Sequence, residues 1–229
     1  MLVHPVIPHR RVGRRFVLRP AGRPTGAFVG TEFVGLTACA RVQYMNVLAI
    51  AGSLRAASIN AAFCRAAARL APAELQVTPY PSGLGSLPLF NPDLEATPPS
   101  TVIAFRSAVA GAQALLIASP EYAHGVSGVL KNALDWLVSF EGFIGKPVAL
   151  INTSPRAHHA YEGTLEVLRT MCARLVPEAS ITVPLLGYCT TEDQMLRAAD
   201  VAAQIRRSLE ALARFLHSAT HAGAIFPVG

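Results

Sequence analysis

The sequence predicts an α/β domain: a doubly wound, three-layer, five-stranded parallel sheet in the order 2-1-3-4-5. Three observations lead there. From Met45 onward, short apolar runs alternate with segments of helical period. The runs do not alternate between apolar and polar residues, as a strand with one wet face would, so both faces are covered. Stretches rich in turn residues follow the first and third runs, where such a sheet carries its ligand.

The elements follow in order. Asn46-Val47-Leu48-Ala49-Ile50-Ala51 is a buried strand that ends at Gly52-Ser53. Ile59, Ala62, Phe63, Ala66 and Leu70 then recur at helical spacing, with Arg65 and Arg69 off the stripe. Glu74 to Thr78 is a second strand. Residues 79–99 hold Pro79, Pro81, Pro88, Pro92, Pro98 and Pro99 and are read as a long connection, either a lid or an interface. A helix over Thr101–Ala110 leads to the strand Ala114–Ser119. Val126, Val129, Leu130, Ala133, Leu134 and Leu137 form the stripe of a helix over Gly128–Ser139. Pro147–Asn152 is the fourth strand, Tyr161–Leu175 a helix and Ala179–Val183 the fifth strand. One last helix spans about Glu192–His217, with Met195, Ala199, Ala202, Ile205, Leu209, Leu212 and Leu216 facing inward. Right-handed crossovers leave few topologies, and 2-1-3-4-5 is common for five strands.

Composition and charge narrow the function. The chain has 229 residues and is 52% hydrophobic, enough for a sizeable core. No apolar run reaches the roughly 18 residues of a membrane span. The net charge of +6 is local. Residues 1–44 hold seven arginines and one acid, Glu32, which leaves 13 basic and 13 acidic residues that cancel. The basic balance therefore describes the leader and does not argue for nucleic-acid binding. This leader is set apart from a domain over 45–229 and reads as an extension upstream of Met45. The other two readings are an export signal and an organelle transit peptide. Gly13-Arg14-Arg15-Phe16-Val17-Leu18 and Ala38-Cys39-Ala40 support export, while Arg23 and Glu32 interrupt the stretch that export needs to be apolar.

Cys39, Cys64, Cys172 and Cys189 have no metal-like spacing and read as free, mostly buried thiols in a reducing compartment. A cytoplasmic location is expected, with export as the alternative. The histidines are scattered. Adjacent His158 and His159 would not share a helix face, so no metal site is expected.

The loop Gly52-Ser53-Leu54-Arg55-Ala56-Ala57-Ser58-Ile59-Asn60 joins a buried strand to a helix start. Its hydroxyls, free N–H groups and Arg55 suit a phosphate monoester. It carries neither the Walker pattern nor the dinucleotide fingerprint. An ordinary turn with Ser58 as N-cap is the competing reading. The loop Ser119-Pro120-Glu121-Tyr122-Ala123-His124-Gly125-Val126-Ser127-Gly128 is stiffened by proline and opened by glycine. That suits backbone contact with a flat ligand, with Tyr122 beside it. His124 is either a proton donor or a surface residue.

These loops carry a resemblance. Gly52-Ser53-Leu54-Arg55, with Ser58 and Asn60, resembles the phosphate loop of the NAD(P)H-dependent FMN reductase family. Ser119-Pro120-Glu121-Tyr122, continuing through Gly128 into Leu130-Lys131-Asn132-Ala133-Leu134-Asp135-Trp136, resembles its flavin-ring loop and following helix. Gly145-Lys146-Pro147-Val148 and Asn152-Thr153-Ser154-Pro155-Arg156-Ala157 are similar to stretches in some members. The resemblance covers roughly residues 45–186 and implies a flavodoxin-like fold, bound FMN, and NADPH or NADH as co-substrate. Ser53, Arg55, Ser58 and Asn60 would hold the phosphate. Pro120, Glu121, Tyr122 and Gly125 would line the ring, and Ser154 would close the far side, with Arg156 nearby. Many relatives have Asn where this chain has Ala123, so Ala123 would contribute its backbone alone.

The resemblance also implies hydride transfer to the flavin and electrons onward to a small acceptor: free flavin, a quinone, an azo compound or an oxidised metal ion. A non-enzymatic electron carrier and an FMN-binding regulator are the alternatives. A homodimer or homotetramer with flavin near a subunit interface is implied too. Trp136 lies off its helix stripe and Phe140 and Phe143 follow, as suits an interface. Alternatively, the connection over 79–99 folds over these aromatics within one chain.

Overall fold

The computed structural model describes residues 44–221 apart from Leu186 and Tyr188. Strand β1 spans Met45–Ala51, and α1 spans Ile59–Leu70. They are followed by β2 over Leu75–Pro79, α2 over Ser100–Gly111 and β3 over Ala114–Ala118. A hairpin of β4 (Glu121–Tyr122) and β5 (Gly125–Val126) precedes α3 over Gly128–Asp135. Next come β6 (Pro147–Ile151), α4 (His158–Thr170) and β7 (Arg174–Leu175). Helices α5 (Glu192–Arg197) and α6 (Ala199–His221) end the described chain.

The main sheet runs β2-β1-β3-β6-β7 with every pair parallel, so its five strands stand in the order 2-1-3-4-5. Alternate residues feed two separate cores. Val47, Ala49 and Leu116 pack with α1, α5 and α6 on one face. Leu48, Ile50, Leu115 and Ile117 pack with α2 and α3 on the other. This two-sided burial is why the strands read as unbroken apolar runs. The fold is flavodoxin-like. Among the described residues, no helix is long and apolar enough to cross a membrane.

Lys146 ties the sheet to α2 at the end opposite the strand C-termini. Its buried ammonium donates to the carbonyls of Ala112 at 2.7 Å and Ala110 at 3.5 Å. Burial pushes its pKa down.

Three sequence expectations need correction. The fifth strand is not Ala179–Val183. The helix before it stops at Thr170, five residues short of Leu175, and Arg174–Leu175 pairs with β6 instead. Cys172, at φ 59, makes the stop: Cys172 N donates to Arg169 O and Ala173 N to Leu168 O, a Schellman closure without glycine. Residues 181–183 rejoin β6 only through a bridge at Asn152–Thr182. In the gap between, Ser180 Oγ accepts the N–H of Leu150 at 3.0 Å. Second, the terminal helix is broken at Ala198, whose ψ of 103° is extended. The break lets α5 pack on α1, through Arg65 and Glu192 at 3.0 Å, and α6 on the sheet. Ala199 is consequently exposed.

Third, Trp136 is fully buried within the chain. It sits just past the end of α3, where the chain leaves helical geometry and faces the 79–99 connection. Its indole N–H donates to Pro88 O at 2.8 Å, and Phe90 meets its ring edge-on at 5.0 Å. Phe143 is buried as well, so these aromatics form core and not an interface. The cysteines agree with the reading of free, mostly buried thiols among the described residues: Cys64 and Cys189 are buried and Cys172 is exposed, while Cys39 and the leader lie outside the described residues.

Candidate active site

The loops after β1, β3 and β6 converge on a cavity of ≈ 340 Å³ at the carboxyl ends of the strands. Ser53, Arg55, Ser58 and Asn60 line it from the first loop, and Pro120, Glu121 and Tyr122 from the second. Ser154 lines it from the third, with Arg156. Ala123 and Gly125 sit at the turn of the β4–β5 hairpin and do not line the cavity. The sequence reading did not select Thr153 or Ser119, which do. In the sequence Thr153 is marked only by its place beside Ser154 in the loop after β6.

Gly52 lets the first two loops touch. A Cβ on it would collide with the Ser119 side chain, so any side chain there would push the loops apart. Ser58 caps α1 by accepting from Ala61 N at 3.1 Å. Ser53 Oγ accepts from Arg55 N at 3.3 Å, which tightens the loop. Asn60 is buried and its Oδ1 accepts from Thr153 Oγ1 at 2.9 Å, which joins the first loop to the third. Among the described residues, the N–H groups of Ala56 and Ala57 find no acceptor, and Arg55 has no acidic partner. Unpaired N–H groups, a helix start and a free guanidinium are the donor set a dianionic phosphate requires. The residues present therefore fit a mononucleotide.

The hairpin is held differently. Tyr122 pairs with Gly125, and the two residues between them have positive φ, 49° at Ala123 and 56° at His124. Two left-handed residues make the tight turn that matches strand twist, normally built from Asn and Gly. Glu121 anchors it. Its Oε2 accepts from Ala160 N at 2.8 Å, which caps α4 from another loop because Ala157 offers no capping side chain. Its Oε1 lies 3.2 Å from His124 Nδ1. The Ala160 N–H, and then the nearby imidazoles, hold the Glu121 carboxyl below its usual range.

Three imidazoles gather beside it. The rings of His124 and His159 meet edge-on at 4.5 Å, and those of His158 and His159 lie 4.1 Å apart. The scattered reading of the histidines is thereby corrected. The fold brings two loops together, and the first two residues of α4 place their rings side by side.

A second cavity of ≈ 490 Å³ lies between α1 and the 80–86 segment. Its one lining arginine, Arg65, is already paired with Glu192, and burial pushes its Cys64 thiol up to about 12, so that thiol is no nucleophile at neutral pH. The first cavity is the one equipped for an anion.

The fold and the two facing loops define a flavodoxin-like mononucleotide-binding domain. The chain belongs to the NADPH-dependent FMN reductase family, which matches residues 45–184. It is an FMN-dependent enzyme that draws electrons from NAD(P)H. Among similar proteins is a quinone reductase of Pseudomonas putida, 37% identical over 147 residues, covering 60% of this chain and 77% of that one. An NAD(P)H-dependent FMN reductase of Pseudomonas aeruginosa is 39% identical over 113 residues, 48% of this chain and 60% of its own length. The solved structure of FerB, a flavoenzyme NAD(P)H:(acceptor) oxidoreductase from Paracoccus denitrificans, has a TM-score of 0.54 at 26% identity. That likeness covers 78% of this chain and 94% of FerB.

Proposed function

We propose that this protein is a quinone reductase that passes two electrons from NAD(P)H through FMN to a small quinone. The observation that carries the reading is the cavity itself. One lip has unpaired N–H groups and the free Arg55, and the exposed ring of Tyr122 stands on the facing lip. The name of the Pseudomonas putida relative favours a quinone as acceptor.

In this reading Ser53, Arg55, Ser58 and Asn60 bound the phosphate end, with Arg55 supplying the charge. Ser58 and Asn60 act by fixing the loop, since their oxygens already accept hydrogen bonds within the protein. Pro120, Glu121 and Tyr122 bound the ring, Ala123 and Gly125 hold the hairpin in shape behind it, and Ser154 closes the third side. FMN, when bound, supplies the two-electron chemistry, and the chain supplies position and electrostatics.

The free thiols of Cys64, Cys172 and Cys189 favour a cytoplasmic location. A homodimer is favoured by Leu89, Val138 and Ile144, which are large, apolar and exposed. Anaerobic addition of NADPH to the purified yellow protein should bleach its flavin absorbance, and a benzoquinone should restore it. A colourless protein that neither binds FMN nor oxidises NADPH in the presence of quinone would overturn the reading.

A further inference from the structure

Two arginines line the cavity from opposite loops, Arg55 after β1 and Arg156 after β6. Neither has an acidic partner among the described residues, whereas Arg65, Arg69 and Arg106 are all paired. FMN carries one phosphate, and the Arg55 lip accounts for it. The guanidinium of Arg156 remains without an anion.

Two residues further along the chain, α4 opens with His158 and His159, both exposed, and the ring of His124 meets that of His159 from the hairpin. The acid facing this group is Glu121, and both its oxygens are already engaged, by Ala160 N and by His124. Glu162 lies one turn along α4, outside ion-pair distance of either imidazole among the described residues. The described residues contain no set of His, Cys, Asp or Glu that converges on a metal ion. The three imidazoles gather against a single carboxylate, and α4, which carries two of them, opens two residues beyond Arg156.

We propose that Arg156, His124, His158 and His159 form a second anion subsite, which takes a phosphate of the pyridine dinucleotide while the Arg55 lip holds that of FMN. This rests on the reading of the cavity as an FMN and NAD(P)H site. A phosphate dianion beside imidazoles favours their protonated form, and imidazolium then donates to its oxygens. Dinucleotide binding should therefore take up protons and strengthen on acidification. The phosphate has two possible sources, the diphosphate bridge common to both dinucleotides and the 2′-phosphate found on NADPH alone.

The test is calorimetry of NADP⁺ and NAD⁺ binding to the FMN-loaded, oxidised protein at about pH 6 and about pH 8. It uses wild type, a His158→Gln/His159→Gln double variant and Arg156→Gln. The oxidised dinucleotides bind without turnover, and buffers of different ionisation enthalpy report the protons taken up. FMN content is measured first, and its absence from wild type would defeat the underlying site reading and not the subsite alone. With FMN present, wild type should bind more tightly at the lower pH with proton uptake. The double variant should lose about tenfold or more at the lower pH, and the uptake with it. Arg156→Gln should lose a similar factor at both pH values and keep its FMN. Loss confined to NADP⁺ assigns the 2′-phosphate, and equal loss for both assigns the bridge. Unchanged binding in both variants, or loss of FMN on Arg156→Gln, would overturn the proposal.

Discussion

The connection over residues 79–99 and the hairpin Glu121–Val126 invert what their sequences suggest. The first is long and rich in proline, yet side chains of the core nail it down. Trp136 Nε1 and Asn132 Nδ2 both donate to Pro88 O, Phe90 N donates to Asn132 Oδ1, and Glu95 pairs with Arg106. The second is short and tight, yet it holds two left-handed residues without glycine. Its Glu121 carboxylate bonds to α4, and Val126 packs against the core. The order of a loop therefore depends on whether its backbone groups find partners, and length says little about that. Two of the three non-glycine residues at positive φ stand in this hairpin, whose first strand borders the cavity, and the third, Cys172, ends α4.

Trp136→Ala should break the first region and have the largest effect. It removes a fully buried indole and leaves the Pro88 carbonyl with one donor fewer. A loss of about 3–5 kcal/mol is expected in urea unfolding followed by far-UV circular dichroism. A loss below about 1 kcal/mol would mean the connection is not held by the core.

Glu121→Gln addresses the second region and should cost less. The carboxylate's pKa is lower folded than unfolded, so its contribution is complete above the usual carboxylate range near about 4.3. That contribution is lost as the pH falls through the folded value. The variant should therefore melt below wild type at neutral pH, and the gap should narrow on acidification. A gap independent of pH would show that the charge plays no part.

Ala123→Asn should act in the opposite direction. Asn tolerates the left-handed region that Ala occupies here at φ 49°, so a gain of about 1 kcal/mol is expected. A destabilised variant with FMN binding intact would mean that the turn geometry is wrongly assigned.

The same two regions show what was legible in the sequence. Strands buried on both faces declare themselves as unbroken apolar runs, and four of the five were read within about two residues, the ordinary uncertainty of strand ends. The loops after the first and third strands were legible because turn residues there follow a buried run directly. The fifth strand was not. Cys172 ends α4 where glycine would have marked the stop, and apolar residues at helical spacing run on through Leu175. The break at Ala198 likewise falls inside an alanine-rich stretch with nothing to mark it. Trp136 looked like an interface residue because its partner, the Pro88 carbonyl, lies 48 positions away in the chain. The histidine group and the Asn60–Thr153 bond link separate loops, and only the crossovers of the fold bring them together.

The central claim is that the cavity bounded by the unpaired Arg55, and not the larger one beside it, holds FMN. The most direct measurement is FMN affinity, by quenching of flavin fluorescence, in Arg55→Ala and Arg65→Ala. Arg55 lines the first cavity without an acidic partner, and Arg65 lines the second and is paired with Glu192. Arg55→Ala should weaken binding about tenfold to a hundredfold, the range for a hydrogen bond to a charged group, and Arg65→Ala should leave it unchanged. The reverse order of effects, or wild-type affinity in Arg55→Ala, would contradict the assignment.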